Sequence, residues 1–234
     1  MKKIGFIGYG LRSETMMKAF RALEAEVCVA AVADPRREEI ARQVAQDPYF
    51  ASTAYYGDAE EMLLREELDG VFIGTRCSLH TPYACKVLKL GLPLFLEKPV
   101  CTTRAQYEAL RAAAEGQEKR VVVSFPLRLS AITLEMKRLV ASGVLGRLTM
   151  VQAVNNVPYG SVYYHSWYRD PAETGGLFLQ KPPMMWTTSI SSPASGRFRC
   201  APKPPSCISP ATGPPACAAR IAPSIAPAPR AAMW

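Results

Sequence analysis

Gly8-Tyr9-Gly10-Leu11-Arg12-Ser13 sets two glycines two residues apart, after a short apolar run and before a stretch of helical period. This is the GxGxxG pattern with serine in the place of its third glycine. Its chemistry is anion binding. Gly8 permits a tight turn, and Gly10 lets backbone approach a pyrophosphate seated on a helix N-terminus. Tyr9, Leu11 and Arg12 belong to the same cofactor turn, and Ser13 is small enough to strain the helix-to-strand packing only modestly. Asp34 closes the next apolar run, about 20 residues on, where a carboxylate accepts hydrogen bonds from the ribose hydroxyls of NAD. Arg36 and Arg37 follow at once and are able to pair a 2′-phosphate, so NADP stays open; the plain alternative is a solvated helix start after Pro35. Glu97-Lys98-Pro99 ends a further strand-like run and offers a cation to a reacting hydroxyl, the plain alternative being an exposed lysine before a turn proline.

These groups need a scaffold that gathers strand ends at one edge. Residues 1–124 alternate short, nearly all-apolar runs with helical patterns, as strands buried on both faces require. The runs are Lys3 to Gly8, Val27 to Ala33, Gly70 to Gly74, Pro93 to Leu96 and Val121 to Phe125. Helices are predicted over Leu11 to Ala25, Arg37 to Ala45, Asp58 to Glu66, Pro82 to Leu90 and Arg104 to Glu115. The pattern predicts an α/β fold, a doubly wound parallel Rossmann sheet that binds its ligand at the carboxyl ends of the strands. Residues 125–181 read as the incomplete start of an α+β second domain, with a helix from Ala131 to Ser142 ended by Gly143 and a strand from Arg147 to Val157. Residues 182–234 hold twelve of the 20 prolines and no acidic residue, and no helical or strand period survives there, which predicts a disordered tail.

At Glu97-Lys98-Pro99 the chain resembles the glucose-fructose oxidoreductase / inositol dehydrogenase / MocA family, in which such a tripeptide puts its lysine beside the nicotinamide and the substrate. The resemblance extends to Gly74-Thr75, His80, the approach from Gly91 to Glu97, Trp167-Tyr168-Arg169 and Gly175-Gly176, and it covers residues 2–181. It implies an NAD(P)-dependent hydride transfer to or from a sugar, cyclitol or similar small hydroxy compound. Lys98 is then the catalytic and substrate-facing lysine, and Thr75, His80, Glu97, Trp167 and Arg169 join the cofactor site. For His80 the alternative is a cap on the next helix; for the aromatic cluster it is ordinary core packing. Lys181 takes a position that precedes the family's catalytic histidine motif and is expected to face the substrate.

The resemblance stops after Lys181. Relatives with the stretch Gly-Gly-Leu-Phe-Leu-Gln-Lys are expected to continue Thr-His-Asp-x-Asp, whereas this chain reads Pro182-Pro183-Met184-Met185-Trp186. Methionine and tryptophan each have a single codon, so the DNA under Met184-Met185-Trp186 reads ATGATGTGG. In one shifted frame this gives Asp-Val-Asp, and the flanking codons permit Lys-Ala-Thr-His-Asp-Val-Asp-Tyr-Ile-Asn. The other shifted frame contains a TGA stop. Loss of one G after the Lys181 codon accounts for the change, which predicts that residues 182–234 are an out-of-frame translation. The chain as written then lacks the histidine relay and is inactive, a non-catalytic nucleotide-binding module being the alternative to an enzyme.

Composition excludes several other classes. The net charge is +8, but five of the Lys/Arg residues fall in the acid-free tail, so no basic face for nucleic acid is built. Seven cysteines without a CxxC pair argue against a zinc site or a disulfide framework. Neither a membrane span nor a secretory signal is read, and the expected location is the cytoplasm. The in-frame parent is expected to form a homo-oligomer, and this chain is not.

Overall fold

The computed structural model of the chain describes residues 1–150, 163 and 165–180. Six parallel strands form one sheet in the order β3-β2-β1-β4-β5-β6. They are β1 (Lys2–Ile7), β2 (Val27–Ala33), β3 (Ala54–Tyr56), β4 (Gly70–Ile73), β5 (Leu94–Leu96) and β6 (Val121–Val123). The connecting helices are α1 (Leu11–Ala22), α2 (Arg37–Val44), α3 (Ala59–Arg65), α4 (His80–Lys89) and α5 (Arg104–Ala114). This is the doubly wound order that reverses direction between β1 and β4, and a crevice at their carboxyl ends is where such sheets bind ligands.

The two faces of the sheet sort by the two-residue period of the strands. Phe6, Val32 and Phe72 turn to the side covered by Met17 of α1 and Ile40 of α2. Their neighbours Ile7, Ala33, Val71 and Ile73 turn to the side of Met62 in α3 and Val87 and Leu88 in α4. On the first side an aromatic row crosses the sheet, with Phe6 and Phe72 ring centroids 5.0 Å apart and Phe72 stacked on Phe95 at 5.4 Å. Local signals set the helix starts. Asp58 accepts from the backbone N–H groups of Glu60 and Glu61 at the head of α3, and Thr103 accepts from Gln106 at the head of α5.

Five of the six strands lie where the sequence predicts them, within a residue or two. The sixth, β3, was not anticipated, and it pairs in register with β2 through Ala31 and Ala54. After the sheet come α6 (Ala131–Ala141), capped by Ser130, and two one-turn helices, α7 (Pro171–Thr174) and α8 (Leu177–Gln180). Arg147 to Met150 forms no strand, contrary to expectation, and the remainder of that predicted strand falls outside the described residues. Among the described residues no helix is long and apolar enough to cross a membrane, and no group of His, Cys, Asp and Glu side chains could hold a metal.

Candidate active site

The carboxyl end of β1 runs into Gly8, whose φ of +80° is open to glycine without strain. A Cβ there would also lie 2.9 Å from the Thr75 backbone across the crevice, so the fold itself demands this glycine. Gly10 is different. Its φ is −109°, and a Cβ built on it would meet none of the described residues within 4 Å. None of the described residues requires position 10 to be bare, yet it stands at the N-cap of α1. That fits a pyrophosphate drawn close to the helix N-terminus.

Ser13, in the third glycine's place, is fully buried and donates to the Gly8 carbonyl at 2.6 Å. The expected modest strain is relieved from the opposite side. A Cβ on Gly74, after β4, would lie 2.7 Å from Ser13 Oγ, so the missing glycine of the fingerprint has a counterpart there.

Asp34 follows β2 and is 8% exposed. Its Oδ2 accepts from the Tyr9 N–H at 2.9 Å, and its Oδ1 accepts from the Arg36 N–H at 2.9 Å and Arg36 Nε at 3.3 Å. Tyr9 therefore takes part through its backbone. Its ring is buried against Phe6 and Phe50, and burial, aided by the charge of Glu14, pushes its hydroxyl pKa up to about 12.

On the other side of the crevice, Glu97 and Lys98 follow β5. Arg12 reaches across from α1 and donates to Glu97 Oε1 through Nε at 3.2 Å and Nη2 at 2.8 Å, and the Glu97 side chain is almost wholly buried. Lys98 Nζ lies 3.5 Å from Gln180 Oε1, at the end of α8. Gln180 is 2% exposed and donates through Nε2 to Cys77 Sγ at 2.9 Å. Burial raises the Cys77 thiol above its ordinary pKa, so it stays protonated. The short α7–α8 segment is fixed to the loop after β4 by Glu173, which accepts from Ser78 Oγ at 2.6 Å and pairs with Arg76 at 3.5 Å. Trp167 stacks on Tyr168 at 4.1 Å, and the Arg76 guanidinium sits 5.7 Å from its ring centroid.

Gly8, Gly10, Arg12, Asp34, Thr75, Glu97 and Lys98 thus meet along one edge of the sheet. Of the other predicted residues, two are exposed and one is buried against that edge. Leu11 is 77% exposed at the start of α1, and Arg169 is exposed. His80 is 1% exposed, with Nδ1 2.7 Å from the Pro99 carbonyl and Nε2 3.1 Å from the Thr75 carbonyl. It is the first residue of α4 and makes no side-chain cap, which corrects the capping alternative. Burial lowers its pKa, and a neutral imidazole has one N–H for these two acceptors, so it donates to one carbonyl and packs its other nitrogen beside the second. Lys181 falls outside the described residues. Gly74 is named in the resemblance without its contact to Ser13, whereas Gln180 and Glu173 were not anticipated; the sole sequence signal for Gln180 is a polar residue closing the run Leu177-Phe178-Leu179.

Residues 2–125 match the profile of the "Oxidoreductase family, NAD-binding Rossmann fold". The chain is 28% identical to a putative oxidoreductase YteT of Bacillus subtilis over 192 residues, covering 77% of this chain and 44% of that protein. It is 29% identical over 153 residues to an inositol 2-dehydrogenase of Saccharopolyspora erythraea, covering 65% of this chain and 44% of that one. The chain thus spans less than half the length of these relatives. A scyllo-inositol dehydrogenase from Lactobacillus casei, solved with bound NAD(H) and scyllo-inositol, has the same fold with a TM-score of 0.57 at 20% identity, covering 64% of this chain and 43% of that one.

Proposed function

The chain belongs to the glucose-fructose oxidoreductase / inositol dehydrogenase / MocA family of NAD-binding oxidoreductases, and from that premise we propose that it derives from a dehydrogenase of a cyclitol or sugar and keeps the cofactor half of that machinery. The observation that carries the reading is Gly10, which no described residue requires to be bare, at a helix N-terminus on the same sheet edge as Asp34 and Lys98. The N–H groups at the start of α1 would hold the pyrophosphate, beside Arg12 on Glu97, and Asp34 would accept from the adenosine ribose. NAD, when bound, would supply the hydride acceptor. Lys98 would present its ammonium to the substrate hydroxyl and favour transfer of its proton to the histidine of the in-frame motif, with Gln180 orienting Nζ through the contact at 3.5 Å. The inositol dehydrogenases among its relatives support a polyol substrate.

As written, the chain has no Thr-His-Asp motif after Lys181, and the buried His80 does not stand in for one. In the shifted frame the histidine falls four places after Gln180, and four residues make about one helical turn. The second reading, a nucleotide-binding module without chemistry, describes the chain as it stands.

The test is to titrate the full chain with NADH, assay turnover on myo-inositol and related polyols, and repeat both with one G inserted after the Lys181 codon. Both proteins are expected to bind NADH, with turnover in the original lower by a factor of about 10² to 10⁴ or more. Equal turnover would sink the broken-relay reading, and failure of both to bind NADH would sink the dinucleotide reading itself.

A further inference from the structure

Glu97 and Lys98 are neighbours in the chain, yet their charges are drawn to different partners. Lys98 Nζ lies 3.5 Å from Gln180 Oε1 at the end of α8. Glu97 is held by Arg12 of α1, whose Nε and Nη2 both donate to Oε1, at 3.2 and 2.8 Å. Among the described residues no hydrogen bond reaches Glu97 Oε2. The Glu97 side chain is 6% exposed and that of Arg12 45%, so a buried charge is paired with one at the rim. A buried carboxylate keeps its charge only beside a counter-ion, and the next cation along the chain is Lys98 itself. Both charges act on His80: burial is the main influence and lowers its pKa, while Glu97 works to raise it and Lys98 to lower it. Tyr168 closes the cluster. Its hydroxyl pKa is raised by burial and then by Cys77, Tyr163 and Glu97, and Arg12 opposes the rise.

We propose that Arg12 is a positioning residue: by occupying Glu97 it keeps this carboxylate from capturing Lys98, and so leaves the ammonium turned to Gln180 and the substrate. The proposal rests on the reading of Lys98 as the substrate-facing lysine. A lysine carries a point charge on a flexible four-carbon stem and is able to fold back on the residue before it. Captured by Glu97, its ammonium would hold its proton more tightly and lie away from a substrate hydroxyl. Arginine is suited to prevent this, because its guanidinium stays charged in any folded protein and sets two donors on one carboxylate. Arg12 follows Gly10 by two residues and reaches across the crevice to the end of β5. The helix that receives the cofactor thus also sets the charge beside the lysine.

The experiment is trace labelling of the full chain with acetic anhydride from about pH 7 to about pH 11, across the ordinary lysine range, with the Lys98 peptide quantified by mass spectrometry. It compares the wild type, Arg12→Ala, Arg12→Lys and the double variant Arg12→Ala/Glu97→Gln, and melting curves establish that each folds. Only the unprotonated amine reacts, so the profile reads the titration of Lys98. In Arg12→Ala the freed carboxylate should draw Lys98 in and raise its midpoint by about 1 to 3 pH units, cutting labelling at about pH 8 by about 10- to 1,000-fold. Arg12→Lys keeps a cation for Glu97 and should stay near the wild type. The double variant has no carboxylate to capture the ammonium and should return there. A purely structural pair leaves the Lys98 midpoint unmoved in Arg12→Ala, or moves it equally in the double variant; either result overturns the proposal. Should Arg12→Ala fail to fold, Arg12→Gln, a neutral donor, takes its place; if that also fails, the pair is a folding requirement and the positioning role falls. Saturating NADH tests the underlying reading separately, since it should slow the labelling of Lys98 in the wild type. If NADH binds without slowing it, the reading of Lys98 fails whatever the Arg12 variants do. If NADH slows it and Arg12→Ala shifts nothing, that reading stands and the proposal fails.

Discussion

At the scale of single residues, the two glycines of the first turn separate what the fold needs from what a ligand needs. Gly8→Ala forces an L side chain into a φ of +80° and drives a Cβ to 2.9 Å from the Thr75 backbone, so folding should be lost or the melting temperature should fall by many degrees. Gly10→Ala meets no atom of the described residues within 4 Å and costs about 1 kcal/mol or less, since alanine is only a poorer N-cap than glycine. Its melting curve should stay near that of the wild type while NADH affinity falls at least about tenfold, because the added methyl stands in the anion's path. Normal NADH binding by Gly10→Ala would remove the observation on which the functional reading stands. The sequence pattern alone treats the two glycines alike; the contrast emerges only when the chain is folded and Thr75 arrives opposite one of them.

At the scale of elements, His80 at the start of α4 sits between the Thr75 and Pro99 carbonyls of the loops after β4 and β5 and donates its one N–H to one of them. Burial lowers its folded pKa below the ordinary 6.5. Below about that pH the unfolded chain takes up a proton that the native chain does not, so the unfolded state binds more protons and stability falls as pH falls. Melts between pH 8 and pH 5 should show a decline beginning near 6.5, above the range where carboxylates titrate, and His80→Gln should flatten that part of the curve while lowering the whole of it. A decline of equal size in the variant would assign it to other groups. Most elements were legible because two-sided burial writes a plain signature: Val27–Ala33 and Gly70–Ile73 are apolar throughout. The strand Ala54–Tyr56 was not, because three half-buried residues at the sheet's edge carry no period, and the pairing with β2 creates the strand. The site divides the same way. Gly8, Gly10, Asp34 and Lys98 could be named from spacing, whereas the contacts of Gln180 with Lys98 and Cys77, and of Gly74 with Ser13, join residues distant in sequence. His80 could be named, but its burial between two carbonyls could not.

At the scale of the molecule, the sheet is well enclosed, whereas the segment around α6 is more open to solvent. Leu129 and Ile132 are 75% and 76% exposed, and Leu134 and Met136 about half exposed, on and just before α6. Such an apolar surface is the kind that drives association, and Val122 on the edge strand β6 adds to it at 54% exposure. The purified chain should therefore elute as a mixture of assemblies in size-exclusion chromatography, and Leu129→Glu with Ile132→Glu should shift it toward monomer without moving the NADH affinity. A monodisperse wild-type monomer would contradict this. The strand order carries one more consequence, for the order of events on the ribosome. β1 lies in the interior of the sheet and is made first, and the codons of all six strands are read before the codon for Lys181. Amino-terminal units fold as they are synthesised. A change of the reading frame at that codon would therefore leave the sequence of every strand of the nucleotide fold as it is, and alter only the residues made after them.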